Sequence, residues 1–95
     1  MKTWYVYLLR CADHSLYTGV TTDPQRRVRE HNHSDSLAAR YTRSRRPVQL
    51  VWLESQPDRS SALRRELAIK ALGRAQKERL IVALSRDSDP LSAPS

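Results

Sequence analysis

Two short aromatic runs near the start of the chain constrain its fold more than any other feature. Residues 3–10 and 16–21 are rich in Trp, Tyr, Val and Leu, which favour strands. The polar stretch Cys11-Ala12-Asp13-His14 separates the runs and has the composition of a turn. The pattern predicts a β-hairpin, with Tyr7 in its first strand and Tyr17 in its second.

Three further elements are predicted after the hairpin. Asp23-Pro24 is typical of a helix N-terminus, a capping acceptor followed by proline, and the helix should run to about His33. A short helix is expected near residues 38–41. Residues 48–53 are mostly apolar and predict a third strand that is central in the sheet or covered by helices.

Two more helices are predicted toward the end of the chain. Asp58 or Ser60 caps the first, which ends near Leu72 because Gly73 is a typical helix stop. The second runs over residues 74–85. Its inward-facing apolar residues are expected to be Leu80, Ile81 and Leu84.

These elements predict one compact α/β domain over residues 1–85. Its fold class is a small, mainly antiparallel three-stranded sheet flanked by helices, in the order strand, strand, helix, short helix, strand, helix, helix. Residues 86–95 are rich in Asp, Ser, Pro and Ala and are predicted to form a disordered tail. A length of 95 residues suits one domain with a modest core.

Several classes of protein are excluded by what the sequence lacks. No run approaches the roughly 20 apolar residues of a membrane span, and the first residues lack a signal-peptide layout, so a cytoplasmic location is expected. Cys11 is the only cysteine, so no internal disulfide can form. Zinc-type Cys/His spacing, a P-loop and a dinucleotide fingerprint are also absent from the sequence.

The charge of the chain favours a polyanionic partner. Its formal net charge is +7, from 17 Lys and Arg against 10 Asp and Glu, and 14 of the 17 are arginine. Arginine matches phosphate oxygens with two parallel donors, whereas lysine acts as a point charge. Such a basic domain suits nucleic acid. The arginine bias alone has a second explanation, the codon usage of a high-GC genome.

The tyrosine-bearing strands resemble those of the GIY-YIG nuclease superfamily. Tyr5-Val6-Tyr7 stands where the family has Gly-Ile-Tyr, and Tyr17-Thr18-Gly19 stands where it has Tyr-Ile-Gly. Two residues depart from the pattern: Tyr5 replaces glycine and Thr18 replaces isoleucine. Both tyrosines remain, so the departures concern strand packing and not chemistry.

Two helices extend the resemblance. Residues 23–31 are similar to the family's first helix, with Arg27 in the place of the catalytic arginine. Residues 62–70 resemble the later helix, with Glu66 in the place of the metal-binding glutamate. The resemblance covers roughly residues 3–84 and is greatest to small single-domain bacterial members.

The resemblance implies roles for four residues before the metal is considered. Tyr7 or Tyr17 would accept a proton from the attacking water, provided that nearby cations favour its phenolate. Arg27 would stabilise charge building on the scissile phosphate. His31, at i+4 from Arg27, could bind phosphate or relay a proton. Alternatively, the rings only pack on the sheet, Arg27 is a solvated charge, and His31 is structural or solvent-exposed.

Glu66 is the candidate metal ligand. Leu63 and Ile69 flank it at i−3 and i+3, and a carboxylate on an apolar side must be paired or bind a metal. One carboxylate with waters and substrate oxygens suits Mg²⁺. The ordinary alternative is an ion pair with Lys70 at i+4.

A basic loop precedes the third strand and is the candidate nucleic-acid contact. Its arginines and its one tyrosine suit a phosphate backbone and an unstacked base, and the alternative is a solvated surface loop. The arginines are Arg40, Arg43, Arg45 and Arg46.

The sequence hypothesis is therefore an endonuclease dependent on Mg²⁺ or Mn²⁺, with nucleic acid as substrate and DNA favoured over RNA. A protein partner that supplies substrate specificity is compatible with the small size of the chain. The alternative is a nucleic-acid-binding module that retains the nuclease fold but is non-catalytic or depends on a partner.

Overall fold

The computed structural model describes residues 2–88, which form three strands and four helices. The strands are β1 (Trp4–Arg10), β2 (Leu16–Thr21) and β3 (Gln49–Gln56). The helices are α1 (Pro24–His33), α2 (Arg40–Arg43), α3 (Arg59–Lys70) and α4 (Arg74–Ser88). This order confirms the predicted α/β fold class. Helix α4 extends to Ser88, past the predicted end near Ser85, and the rest of the predicted tail lies outside the described residues.

The sheet is antiparallel with strand order β2-β1-β3, so β1 is the central strand. The alternative that β3 is central is therefore wrong, whereas its cover by helices is confirmed. Trp52 of β3 packs with Ala62 and Ile69 of α3 on one face. Leu50 and Leu53 pack in a second cluster on the other. Burial on both faces explains the apolar run of β3 without a central position.

The two faces of the sheet carry different clusters. On the first face, Val6 and Leu8 of β1 pack with residues of α3 and α4, including Leu80, Ile81 and Leu84 as predicted. The second face carries the cluster of Tyr7, Leu9, Cys11 and Val48, against which Val28 of α1 and Tyr17 pack. The tyrosines therefore lie on the face that α1 covers.

Local signals set the helix starts. The Asp23 carboxylate accepts a hydrogen bond of 3.1 Å from the Arg26 backbone N–H and caps α1. Asp58, and not Ser60, caps α3 by accepting from the Ser61 N–H at 2.7 Å. Helix α3 ends at Lys70, two residues before the predicted end. No helix within residues 2–88 is long and apolar enough to cross a membrane.

Candidate active site

Strand register brings the two tyrosines together. Tyr7 is paired with Gly19, and Leu9 is paired with Tyr17, so Tyr7 and Tyr17 are diagonal neighbours on one face. Their ring centroids are 6.4 Å apart. The Tyr7 residue is 2% exposed, whereas Tyr17 is only half-buried. The site therefore has one enclosed phenol and one that solvent can reach.

Gly19 makes room for the Tyr7 ring. A Cβ atom built on Gly19 would lie 2.5 Å from Cζ and 3.0 Å from Cε1 of Tyr7. Carbon atoms in ordinary contact are about 3.5–4.0 Å apart, so no side chain fits there without moving the ring. The glycine of the second tripeptide thus allows the tyrosine of the first to lie across β2.

His31 lies in the interior, in hydrogen-bond contact with Tyr7. Its side chain extends from α1 and the residue is 0% exposed. Nε2 of His31 is 2.9 Å from Oη of Tyr7, and Nδ1 is 2.7 Å from Oγ1 of Thr42 in α2. This burial is incompatible with a solvent-exposed His31 or with one that binds phosphate directly.

The hydrogen bonds of Thr42 define which nitrogen of His31 carries the proton. The Thr42 hydroxyl donates its one hydrogen to the Ala39 carbonyl oxygen at 3.0 Å, so it can only accept from Nδ1–H of His31. In a neutral imidazole Nε2 is then an acceptor. The Tyr7 hydroxyl therefore donates its proton to His31.

Burial keeps both members of this pair neutral. It raises the pKa of Tyr7 to about 12, and the neighbouring Tyr17 adds to this rise while the Arg27 guanidinium opposes it. Burial also lowers the pKa of His31 to about 4, assisted by the positive charge of Arg27. Near neutral pH, Tyr7 is thus a phenol and His31 a neutral imidazole. Arg27 alone does not make Tyr7 a phenolate.

Arg27 is held in place at the edge of this pair. Its Nη1 donates to the Glu30 carboxylate at 3.1 Å and to the Leu37 carbonyl oxygen at 2.6 Å, and 24% of its side chain is exposed. Its neighbours differ: the Arg26 side chain is 61% exposed, and Arg29 is exposed too. Arg27 is the arginine of α1 whose charge acts on Tyr7.

Glu66 is partly buried at the same site. Its side chain is 15% exposed, and its negative charge contributes to the raised pKa of Tyr7, after burial and Tyr17. Lys70 Nζ lies 3.4 Å from Oε2 of Glu66, so the ordinary ion pair expected as an alternative is present.

The donor set suits a hydrated hard cation. Within residues 2–88 there is no group of three or more His, Cys, Asp or Glu side chains that could enclose a metal. A single carboxylate fits Mg²⁺, which keeps several waters and is completed by substrate oxygens. Glu66 is the carboxylate whose charge acts on Tyr7, which makes it the residue to hold such an ion.

Two of the four loop arginines have structural partners, which corrects the picture of a loop without structural duties. Arg45 donates to the Asp13 carboxylate at 3.1 Å and to the Tyr41 carbonyl oxygen at 2.8 Å. Arg46 donates to the carbonyl oxygens of His31 and Ser34, at 2.6 and 2.7 Å, at the end of α1. These guanidinium groups join α1 and the hairpin to the loop.

The other two loop arginines remain available. Arg40 and Arg43 are exposed on α2, and their side chains make no hydrogen bond or ion pair with any part of residues 2–88. The ring of Tyr41 is already engaged, because it stacks on Tyr17 at 5.9 Å and the Arg45 guanidinium lies 3.9 Å from its centroid. An unstacked base would have to displace one of them.

Thr42 and Gly19 are the parts of this site that sequence reasoning did not single out for a role. Gly19 was visible as a member of the second tripeptide, but its contact with Tyr7 depends on strand register. Thr42 lies among the loop arginines, and no local pattern distinguishes it from other threonines.

Comparison with known proteins agrees with this geometry. A family model described as the GIY-YIG catalytic domain matches residues 3–79. The chain belongs to the GIY-YIG family and has its nuclease-like fold. Membership implies interaction with nucleic acid, and nucleases of this family generally use divalent metals.

Within the family, the chain is similar to UPF0213 proteins. It is 50% identical over 92 residues to one from Desulfotalea psychrophila, covering 97% of this chain and 83% of the relative. It is 55% identical over 76 residues to one from Haloquadratum walsbyi, covering 80% and 83%. The solution NMR structure of a UPF0213 protein from Bacillus halodurans matches with a TM-score of 0.54 at 40% identity, covering 95% of this chain and 90% of that one. A protein from E. faecalis matches with a TM-score of 0.60 at 40% identity, covering 90% and 88%. These names state no reaction.

Proposed function

We propose that this protein is an endonuclease that hydrolyses phosphodiester bonds with the help of Mg²⁺ or Mn²⁺, with DNA favoured as substrate. The observation that carries the proposal is the hydrogen bond from Tyr7 to a buried, neutral His31, beside Arg27 and Glu66. Binding alone has no use for a buried phenol–imidazole pair next to a carboxylate. Proton transfer has a use for each part of it.

Tyr7 is the general base in this proposal. Its hydroxyl hydrogen points at Nε2 of His31, so the lone pairs of its oxygen are free to accept a proton from water. As the water attacks phosphorus, Tyr7 takes that proton and passes its own to His31. The transfer runs through a neutral phenol, so the high pKa of Tyr7 does not block it.

Tyr17 and Arg27 act on the substrate side. The hydroxyl of Tyr17 makes no hydrogen bond with residues 2–88, and the half-buried ring lies beside Tyr7, so it can orient the water or the phosphate. Arg27 is already fixed by Glu30 and Leu37, which leaves its remaining donors preorganised for the charge that develops on the phosphate.

Glu66 would hold the metal ion. When bound, the ion would neutralise charge on the phosphate and on the leaving oxygen. The carboxylate is partly buried, and its ion pair with Lys70 engages Oε2. The half-open setting is compatible with an ion that keeps most of its waters.

The substrate would be held mainly by its backbone. Arg40 and Arg43 are exposed and unengaged within residues 2–88, so they are the loop residues proposed to contact phosphates. Arg45 and Arg46 were predicted to do the same, but their intramolecular bonds give them a first duty within the fold. Phosphate contacts carry little sequence information, so cleavage should be only weakly sequence-selective.

The test is a pair of substitutions that separates metal binding from the ion pair. Glu66→Ala should abolish Mg²⁺-stimulated cleavage of labelled nicked, branched and single-stranded DNA and RNA, while leaving binding largely intact. Lys70→Ala removes the same ion pair but keeps the carboxylate. It should retain cleavage, because an i,i+4 pair on a helix contributes only about 0.3–0.5 kcal/mol to stability.

Two outcomes would contradict the proposal. Full activity of Glu66→Ala in chelator-treated buffer supplemented with Mg²⁺ would remove the metal role. Wild-type protein that binds these nucleic acids but cleaves none of them, with Mg²⁺ or Mn²⁺, would instead identify a binding module that retains the nuclease fold.

A further inference from the structure

Thr42 is a buried hydroxyl at the far end of the hydrogen-bonded chain from Tyr7. The residue is 0% exposed, although it lies on α2 between exposed arginines. Its Oγ1 is 2.7 Å from Nδ1 of His31 and 3.0 Å from the Ala39 carbonyl oxygen. A buried hydroxyl that makes two short hydrogen bonds is costly to replace by an apolar group, because its partners would remain unsatisfied.

The direction of every hydrogen bond in this chain follows from the Ala39 carbonyl. A carbonyl oxygen can only accept, so Thr42 must donate to it and must accept from His31. His31 then has its hydrogen on Nδ1 and a lone pair on Nε2. Tyr7 is left as the donor to that lone pair.

We infer that Thr42 is a positioning residue for the reaction: it fixes the Nδ1–H tautomer of His31, and through it the direction in which the Tyr7 hydroxyl points. The inference rests on the proposed function for its catalytic meaning. Its structural part, the tautomer, can be observed without any cleavage.

The opposite tautomer would disable the proposed base. With its hydrogen on Nε2, His31 would donate to Oη of Tyr7 and could no longer receive the Tyr7 proton. The Tyr7 hydrogen would then point toward the substrate side, where the attacking water must give up a proton. One misplaced hydrogen thus converts the acceptor into a donor.

Both ends of the His31–Thr42 contact are held by the loop. The Arg45 backbone N–H donates to the Thr42 carbonyl oxygen at 2.9 Å. The Arg46 side chain donates to the His31 carbonyl oxygen at 2.6 Å. The segment that sequence analysis treated as a phosphate contact therefore also maintains the geometry of the proton acceptor.

The experiment compares wild type with Thr42→Val and Thr42→Ser. Valine replaces the hydroxyl by a methyl group, whereas serine keeps the hydroxyl. The tautomer of His31 is measured by long-range ¹H–¹⁵N correlation NMR near neutral pH, and the signals of the other two histidines are assigned by their disappearance in His14→Gln and His33→Gln. The kcat and KM for cleavage are measured in parallel.

The expected result is an Nδ1–H imidazole in wild type and Thr42→Ser, and an Nε2–H imidazole in Thr42→Val. The kcat of Thr42→Val should fall by about 10- to 100-fold, part of the roughly 10²–10⁴-fold that a general base supplies. KM should change by less than about threefold and Thr42→Ser should restore kcat, because the defect concerns proton transfer and not binding.

An Nε2–H imidazole in wild type would overturn the inference, as would an Nδ1–H imidazole or an unchanged kcat in folded Thr42→Val. Should Thr42→Val fail to fold, the wild-type tautomer and the serine variant still decide, because a changed tautomer in Thr42→Ser contradicts the role. Absence of cleavage by wild type would refute the proposed endonuclease, while the tautomer would still report on Thr42.

Discussion

Replacing Gly19 by alanine should disrupt the candidate active site from a position that carries no functional group. The added Cβ would lie 2.5 Å from Cζ of Tyr7, so the ring must move by about 1 Å to reach an ordinary carbon contact. The Tyr7–His31 hydrogen bond, now 2.9 Å, would then exceed a useful length. Tyr7 cannot yield freely because its residue is 2% exposed.

The magnitude has two parts. Overpacking a filled interior costs about 1–3 kcal/mol. A buried nitrogen on His31 left without its donor costs about 1–3 kcal/mol more. The free energy of unfolding should therefore fall by about 2–5 kcal/mol, which leaves many domains with a total near 5–15 kcal/mol still mostly folded. A displacement of about 1 Å at reacting groups lowers the rate by about a hundredfold.

Gly73→Ala is the matched control. A Cβ on Gly73 meets its nearest atom, Oε1 of Gln76, at 3.9 Å, an ordinary contact. The lower chain entropy of alanine and its poorer capping roughly cancel, each being worth up to about 1 kcal/mol. Denaturant unfolding gives the stabilities, and cleavage under conditions where each variant is folded gives the rates. If Gly19→Ala matched Gly73→Ala in both, the close approach of the Tyr7 ring to β2 would be wrong.

Two further predictions concern arginines. Arg27→Ala should lower kcat/KM by about a hundredfold or more, near 3 kcal/mol for a preorganised charge, whereas Arg26→Ala and Arg29→Ala should cost far less because both side chains are exposed; steady-state kinetics that gave equal decreases for all three would make Arg27 one charge in a basic helix. Neutralising Arg40 and Arg43 together, in an inactive Glu66→Ala background, should flatten the slope of log affinity against log salt by about 0.7–0.9 for each phosphate that the variant no longer neutralises, and an unchanged slope in a salt titration would place the binding surface elsewhere.

Most of the fold could be predicted because its signals act over a few residues. Asp23 and Asp58 cap helices through backbone N–H groups three residues away, so their own neighbourhoods suffice. The aromatic runs of β1 and β2 were recognisable for the same reason. The strand order was not, because an apolar strand reads alike whether it is central or covered on both faces.

The identities of the candidate catalytic residues were also evident in the sequence, but their working relations were not. Tyr7 and His31 are 24 positions apart, and His31 and Thr42 are 11 apart. Whether these atoms meet depends on how α1 and α2 pack on the sheet. The burial that keeps Tyr7 and His31 neutral is likewise a property of the packed domain.

The arginines show the same division most clearly. Composition identified a basic domain suited to a polyanion, and that conclusion needs only the charges. It could not separate Arg45 and Arg46, which bond to distant carbonyl and carboxylate oxygens, from Arg40 and Arg43, which remain exposed. A guanidinium group serves the fold or the substrate according to which acceptors tertiary packing brings within about 3 Å of it, and the one-dimensional order of residues does not contain that distance.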